Sequence, residues 1–316
     1  MLRRICRTCP DVLLVLLGGL VATLWGCDLQ RTVDVKDPKH ESVLVVNSEV
    51  KAGRPWRVDV SRSVGAFEAG NPQDSTRTVT DATVTVLHNG TTLGQLPLDS
   101  LDQYSTRQFT PKPGERYTVH VQAPTLPSVR ATDRVPRMPP LRLASEPAEQ
   151  GVQDYNRVLR LTIDDPSTTN NYYHVALKKR QFIRDSTGIS SFTYETQFQT
   201  RNPSVLNEMD GDLAETNAYT GNTAVFTDAL FDGTEQVIAL RVQDELYGDT
   251  IRVEYVLFVS ALSENAYRFS HTKRLYKRTR DNPFAEPVDV HSNVEGGYGI
   301  VAARHTDTLT VAVTPD

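Results

Sequence analysis

The sequence predicts an all-β protein of two β-sandwich domains, with one short helix towards the C-terminus. Three observations lead there. Valine, threonine, tyrosine and phenylalanine recur throughout, while long alanine- and leucine-rich stretches are absent, a composition that favours strands. Many short segments alternate apolar and polar residues, the period of a strand with one buried face. Between them stand clusters of Gly, Pro, Asn and Asp, the residues that turn a chain.

The first 26 residues stand apart from this pattern and read as a signal peptide. Arg3, Arg4 and Arg7 precede an apolar run from Val12 to Trp25, which closes on Leu24-Trp25-Gly26-Cys27. A basic start, a short apolar core and a small residue before the cut are the parts of a secretory signal. The run falls short of the roughly 20 apolar residues that a spanning helix needs. Leu24-Trp25-Gly26-Cys27 resembles a bacterial lipobox, whose cysteine is acylated and becomes the first mature residue. The alternatives are an ordinary cleaved signal or an uncleaved anchor. Cys6 and Cys9 have C-x-x-C spacing but lie ahead of the signal core. Cys27 would then be the one mature cysteine, which excludes an intramolecular disulfide and a cysteine-ligated zinc site.

Residues 27–41 are polar and read as a tether. A first sandwich is expected over residues 42–137. SVLVVNSEV from Ser42 is strand-like, and in WRVDVSRSV the side chains Trp56, Val58 and Val60 share a face. Residues 65–78 are loop chemistry. Val84 and Val86 alternate towards Asn89-Gly90, and TTLGQL returns from it. Asn-Gly accepts positive φ at both positions, so a type I′ hairpin is expected. Tyr117, Val119 and Val121 line a further strand. Pro124, Pro127, Pro136, Pro139 and Pro140 then crowd a stretch that reads as an extended connector, because proline removes backbone donors. The domain boundary is placed near Met138.

The second sandwich is expected over residues 138–316. Leu159, Leu161 and Ile163 alternate into the turn Asp164-Asp165-Pro166. Further strands are expected at Tyr172–Lys178, Phe192–Gln199, Val237–Val242 and Ile251–Ala261. The nearly continuous apolar run YVLFVSAL predicts a central, covered strand. One helix is expected near 263–278, capped by Ser263, with Ala266, Phe269 and Tyr276 at helical spacing. Both domains read as immunoglobulin- or transthyretin-like sandwiches.

The segments DDPSTTNNYYHVAL, TDALFDGTEQVIALRV and NPFAEPVDVHSNVEGGYGIVAA occur in that order, after LVVNSEV and DATVTVLHNG. Together they resemble the domain of unknown function 4249 family of Gram-negative lipoproteins, over about residues 42–303. The resemblance implies an envelope-anchored protein, often encoded near TonB-dependent outer-membrane transporters. It carries over no catalytic residues.

Candidate chemistry is sparse. Removal of Arg3, Arg4, Arg7 and Asp11 takes the formal charge from −5 to −7, which argues against general nucleic-acid binding. His40, His88, His120, His174, His271, His291 and His305 show no metal-binding spacing. No nucleophile elbow or Walker loop occurs. Gly296-Gly297-Tyr298-Gly299 reads as a turn entering a strand. Asp210, Asp212 and Glu215 offer hard oxygen ligands without the EF-hand spacing. Asp164-Asp165 reads as a turn cap rather than an acid–base pair. Tyr172, Tyr173, Phe192 and Tyr194 cannot all line one sugar-stacking surface, because adjacent strand residues face opposite ways. Lys273, Arg274, Lys277, Arg278 and Arg280 form the strongest local charge in an acidic chain. Spacings of three and four group them on the helix, as a solvated face or as a contact for anionic lipid or an acidic partner.

The expected protein is therefore a non-enzymatic, lipid-anchored protein of the outer membrane without metal or cofactor. It would be an accessory or binding partner of a TonB-dependent transporter, with the membrane reached through Cys27. A surface adhesin or glycan-binding module is the alternative, and an unrecognised hydrolase a third class.

Overall fold

The computed structural model describes residues 40–65, 77–148, 156–167, 169–186, 188–208, 217–243, 249–282 and 284–313. The signal segment, Cys27, most of the tether and the candidate ligands Asp210, Asp212 and Glu215 lie outside the described residues. The fold is mostly β, as expected.

The first half supplies β1 (Leu44–Lys51), β2 (Trp56–Arg62), β3 (Thr83–His88), β4 (Thr91–Leu96), β5 (Tyr104–Thr106), β6 (Arg116–Ala123) and β7 (Leu126–Arg134). Alternation sends Leu44, Val46 and Val50 of β1 inward, with Trp56, Val58 and Val60 of β2. Trp56 packs edge-on against Tyr117 at 5.3 Å, and its indole N–H donates to Ser48 Oγ at 2.9 Å. The large ring is buried without leaving its polar atom unpaired. Asn89 and Gly90 join β3 to β4 with φ of 49° and 85°, the positive values of a type I′ turn.

The second half supplies β8 (Leu141–Pro147), β9 (Arg157–Asp164), β10 (Tyr172–Asp185), β11 (Gly188–Glu195), β12 (Phe198–Thr200), β13 (Tyr219–Gly221), β14 (Thr223–Thr227), β15 (Glu235–Val242), β16 (Thr250–Leu262), β17 (Val294–Glu295) and β18 (Tyr298–Val313). A four-residue helix spans Pro203–Leu206, capped by Asn202. The long helix Glu264–Thr279 is capped by Ser263, whose Oγ accepts the Ala266 N–H at 3.1 Å. β16 is central as its apolar run predicted, with β10 on one side and β18 on the other. Among the described residues, no helix is long and apolar enough to cross a membrane.

Two expectations need correction. The stretch from Pro124 to Pro140 is not all connector, because β7 runs through it and pairs with both β6 and β17. Pro127 sits just after the β6–β7 turn, outside the regular ladder, where a missing N–H costs little. The extended link is confined to 135–140. The segment Phe192–Gln199 is not one strand either. It breaks between β11 and β12, which lie in different sheets.

Two apolar cores form. One gathers Leu44, Trp56, Val84 and Val119, and the other Leu159, Tyr173, Phe198 and Tyr255. A single sheet nevertheless passes both, in the order β11-β10-β16-β18-β1-β2-β5, with β14 also paired to β10. β18 is the shared strand. Val301 and Ala303 complete the first core, while Leu309, Val311 and Val313 flank the second. Its parallel pairing with β1, from Val45↔Tyr298 to Lys51↔Arg304, ties the end of the chain to the start of the body. Gly299 permits the approach. A Cβ there would lie 2.1 Å from Val46 O, and its φ of 109° suits glycine. Two smaller sheets complete the fold, β13-β12-β15-β9-β8 and β17-β7-β6-β3-β4.

Candidate functional site: a cleft between the two cores

Asp133 is where β7, β18 and the long helix meet. Alternation along β7 turns it inward beside Val129 and Ala131, while Thr132 and Arg134 face out. One carboxylate oxygen accepts from Ser263 Oγ at 2.5 Å and from the Ala303 N–H at 2.6 Å. The other accepts from the Arg134 N–H at 2.9 Å and from Asn265 Nδ2 at 3.1 Å. Burial pushes its pKa above the usual carboxylate range, and these four donors oppose that shift. Ser263 thus has two roles, capping the helix and holding Asp133.

A cleft of about 1170 Å³ opens beside this junction. One wall carries Arg116, Arg134 and Arg137. The other carries Asp164, Thr169, Asn170 and Asn171, and the start of the long helix closes the end. Arg116 and Arg134 are direct partners across β6 and β7. Arg137 lies over the turn at Gly114, whose φ is +84° and where a Cβ would come within 2.6 Å of the Arg137 Nε.

Beside the far wall, Asp165, Asp228 and Asp232 bring carboxylate oxygens within 4.8 Å of one another. Asp165 accepts a short hydrogen bond from the Tyr173 hydroxyl and one from the Gly233 N–H at 3.2 Å. Asp228 accepts the Asn171 N–H at 2.6 Å. Burial raises the pKa of Asp165 and of Asp228; the charge of Asp232 adds to both shifts, and that of Asp165 adds to the shift of Asp228. The three could hold a hard cation. Their visible work is to fasten the Asp228–Thr234 turn to the Asp164-Asp165-Pro166 turn. Asp164, next in sequence, is exposed, so the adjacent pair does not act together. Asp228 and Asp232 went unnoticed in the sequence, since more than sixty residues separate them from Asp165.

The basic cluster is divided. Lys273, Lys277, Arg278 and Arg280 are exposed, whereas Arg274 turns to Glu208 and donates to its carbonyl oxygen at 2.6 Å. Lys273 sits over the Phe269 ring at 5.1 Å, and Arg280 pairs with Asp281 at 3.3 Å. The aromatic candidates separate as well. Tyr172 stacks on Tyr267 of the long helix at 4.6 Å. Tyr173 is core, packed against Phe226 at 5.5 Å. Phe192 and Tyr194 belong to the edge strand β11, where Phe192 is 58% exposed. The segment Gly296-Gly297-Tyr298-Gly299 is a turn entering β18.

The profile described as a domain of unknown function (DUF4249) matches residues 30–310, nearly the whole of this architecture. The chain belongs to that family. A search of curated proteins finds no match. Among solved structures, the chain aligns with one titled "Complete structure of manganese lipoxygenase of Gaeumannomyces graminis and partial structure of zonadhesin of Komagataella pastoris". The identity is 10%, over 86% of this chain and 96% of that one, with a TM-score of 0.20. That score carries no argument about fold or function. As a member of the DUF4249 family, the protein inherits no assigned reaction, and its chemistry has to be argued from its own residues.

Proposed function

We propose that this DUF4249 protein is a lipid-anchored, non-enzymatic protein of the outer membrane, acting as an accessory or binding partner of a TonB-dependent transporter. The observation that carries the reading is the sequence Leu24-Trp25-Gly26-Cys27 behind a basic, apolar leader. The polar segment that follows leads to the first strand at Leu44. The exposed cations Lys273, Lys277, Arg278 and Arg280 supply a contact of opposite sign for an acidic partner or anionic lipid. Tyr172, Tyr173, Phe192 and Tyr194 do not come together as a platform on which a sugar ring would stack.

Cys27→Ala tests the anchor. Several acyl chains hold a protein firmly, at about 0.8 kcal/mol per buried methylene. The variant is expected to lose metabolic fatty-acid labelling and to leave the membrane fraction. Unmodified Cys27 in membrane-bound wild-type protein, read by intact mass, would refute the anchor. Cross-linking in the native cell followed by affinity purification tests the partner. Recovery of a transporter supports it, and its absence from efficiently cross-linked material counts against it.

A further inference from the structure

We propose that the cleft between the cores binds a ligand with clustered oxyanions, phosphate or sulfate esters on a polyhydroxylated body, held by Arg116, Arg134 and Arg137. The inference stands on the cleft and is independent of the lipid anchor.

Like charges placed directly opposite on neighbouring strands repel, and Arg116 and Arg134 are placed that way. The next outward pair on the same strands shows the usual remedy, since Thr118 and Thr132 join their hydroxyls at 2.9 Å. Arg137 adds a third guanidinium to the wall, in space that Gly114 leaves open. Several exposed arginines elsewhere are neutralised by carboxylates. Arg142 meets Glu235, Arg160 meets Glu146, and Arg268 meets Glu264. Among the described residues, Arg116, Arg134 and Arg137 make no such close ion pair, although the charge of Arg137 helps to lower the pKa of Glu115. Three arginines lining one cleft, with Glu115 the one neighbouring carboxylate among the described residues that feels Arg137 and itself bonded to His88 and Asn89, are a receptor for oxyanions, because each planar fork matches two oxygens of a phosphate or sulfate.

The carboxylates of the cleft do not cancel this wall. Asp133 points inward and is spent on four donors, and Glu264 is held by Arg268 at 2.5 Å. Asp164 remains, on the opposite wall. It disfavours a second anionic group there, while the exposed Asn170 offers its amide to a polyol beside Thr169 and Asn171, whose side chains bond within their own loop. A volume of about 1170 Å³ far exceeds one inorganic ion and suits a ligand of small-molecule to oligosaccharide size.

The test uses the full-length protein in mild detergent, titrated calorimetrically with inositol hexakisphosphate, sucrose octasulfate, inorganic phosphate and sucrose. At least one polyanion is expected to bind, with inorganic phosphate and sucrose about tenfold weaker or worse. The stronger polyanion identifies the ester. Combining Arg116→Gln, Arg134→Gln and Arg137→Gln is expected to weaken polyanion binding by at least about tenfold, roughly one lost charge-assisted contact or more. Combining Arg62→Gln, Arg107→Gln and Arg201→Gln removes the same charge from exposed positions outside the cleft and should leave binding within about twofold. A second readout guards against misfolding of the triple variant. Without ligand at low salt, Arg134→Gln alone should melt about 1–3 °C higher, because it relieves the repulsion from Arg116. The proposal is overturned if the wild type binds neither polyanion, if the cleft variant binds as tightly as wild type, if the control variant outside the cleft loses as much, or if Arg134→Gln melts lower.

Discussion

Replacing Asp133 by asparagine asks whether one buried carboxylate joins three elements of the fold. All four groups around it are donors, from Ser263, Ala303, Arg134 and Asn265. An asparagine keeps one oxygen and turns an NH2 towards the other pair. The cheaper orientation keeps the 2.5 Å and 2.6 Å bonds and deprives the Arg134 N–H and Asn265 Nδ2. Asn265 cannot readily present its oxygen instead, because that atom lies 3.0 Å from His291 Nε2. The two deprived donors at about 1–2 kcal/mol each, the lower part of the usual penalty, give an expected loss of about 2–4 kcal/mol at pH 7. For a chain of this size that lowers the melting midpoint by roughly 4–16 °C. Urea titration followed by tyrosine and tryptophan fluorescence gives the free energy, and calorimetry the midpoint.

The sign of the pH dependence follows from the raised pKa of Asp133. An unfolded aspartate releases its proton near pH ~3.9, before the native one does. Between those two values the unfolded chain holds fewer protons, so wild-type stability falls as pH rises. The variant lacks that component, and the wild type's margin over it should narrow from about pH 4 upward. A variant as stable as wild type at pH 7 would refute the reasoning. It would mean that burial keeps native Asp133 protonated, a state that asparagine imitates.

Two further outcomes are expected. Gly90→Val should cost about 1–3 kcal/mol by urea titration, because valine tolerates positive φ badly. Nothing lies within 4 Å of a Cβ there, so that cost is backbone strain alone, and an unchanged midpoint would mean the turn has rearranged. Asp228→Asn keeps an acceptor for the Asn171 N–H while removing one of two mutually repelling carboxylates. With the raised pKa of Asp228, wild-type stability should fall as pH rises above about 4, and the variant should fall less and match or exceed wild type at pH 7. Chelator should leave both midpoints unchanged, whereas a chelator-induced drop in wild type alone would make the aspartate trio a cation site.

What could be read from the chain was whatever repeats at short range. Alternation placed Leu44, Val46, Trp56 and Val58 on inner faces, Asn89-Gly90 announced its hairpin, and Ser263 announced a helix that the structure spans as Glu264–Thr279. The apolar run of β16 marked its central position. These features depend on neighbours a few residues apart, and their physics is local. The prolines at 124–140 misled because a proline by itself does not reveal whether it stands inside a ladder or beside its turn.

Tertiary structure decided which faces meet. A period of two tells which side of a strand is buried but not which strand lies next to it. The parallel pairing of β1 with β18, the four donors on Asp133 and the meeting of Asp165 with Asp228 and Asp232 all join residues far apart in sequence. Even Arg116 and Arg134, close in sequence, became opposed charges only when the β6–β7 register placed them so. The sequence by itself determined most of the strands, the turns and the helix, because local sterics and hydrophobic period suffice for these. The shared sheet and the arginine-lined cleft arose only in the folded chain, because they depend on distant segments burying their apolar faces together.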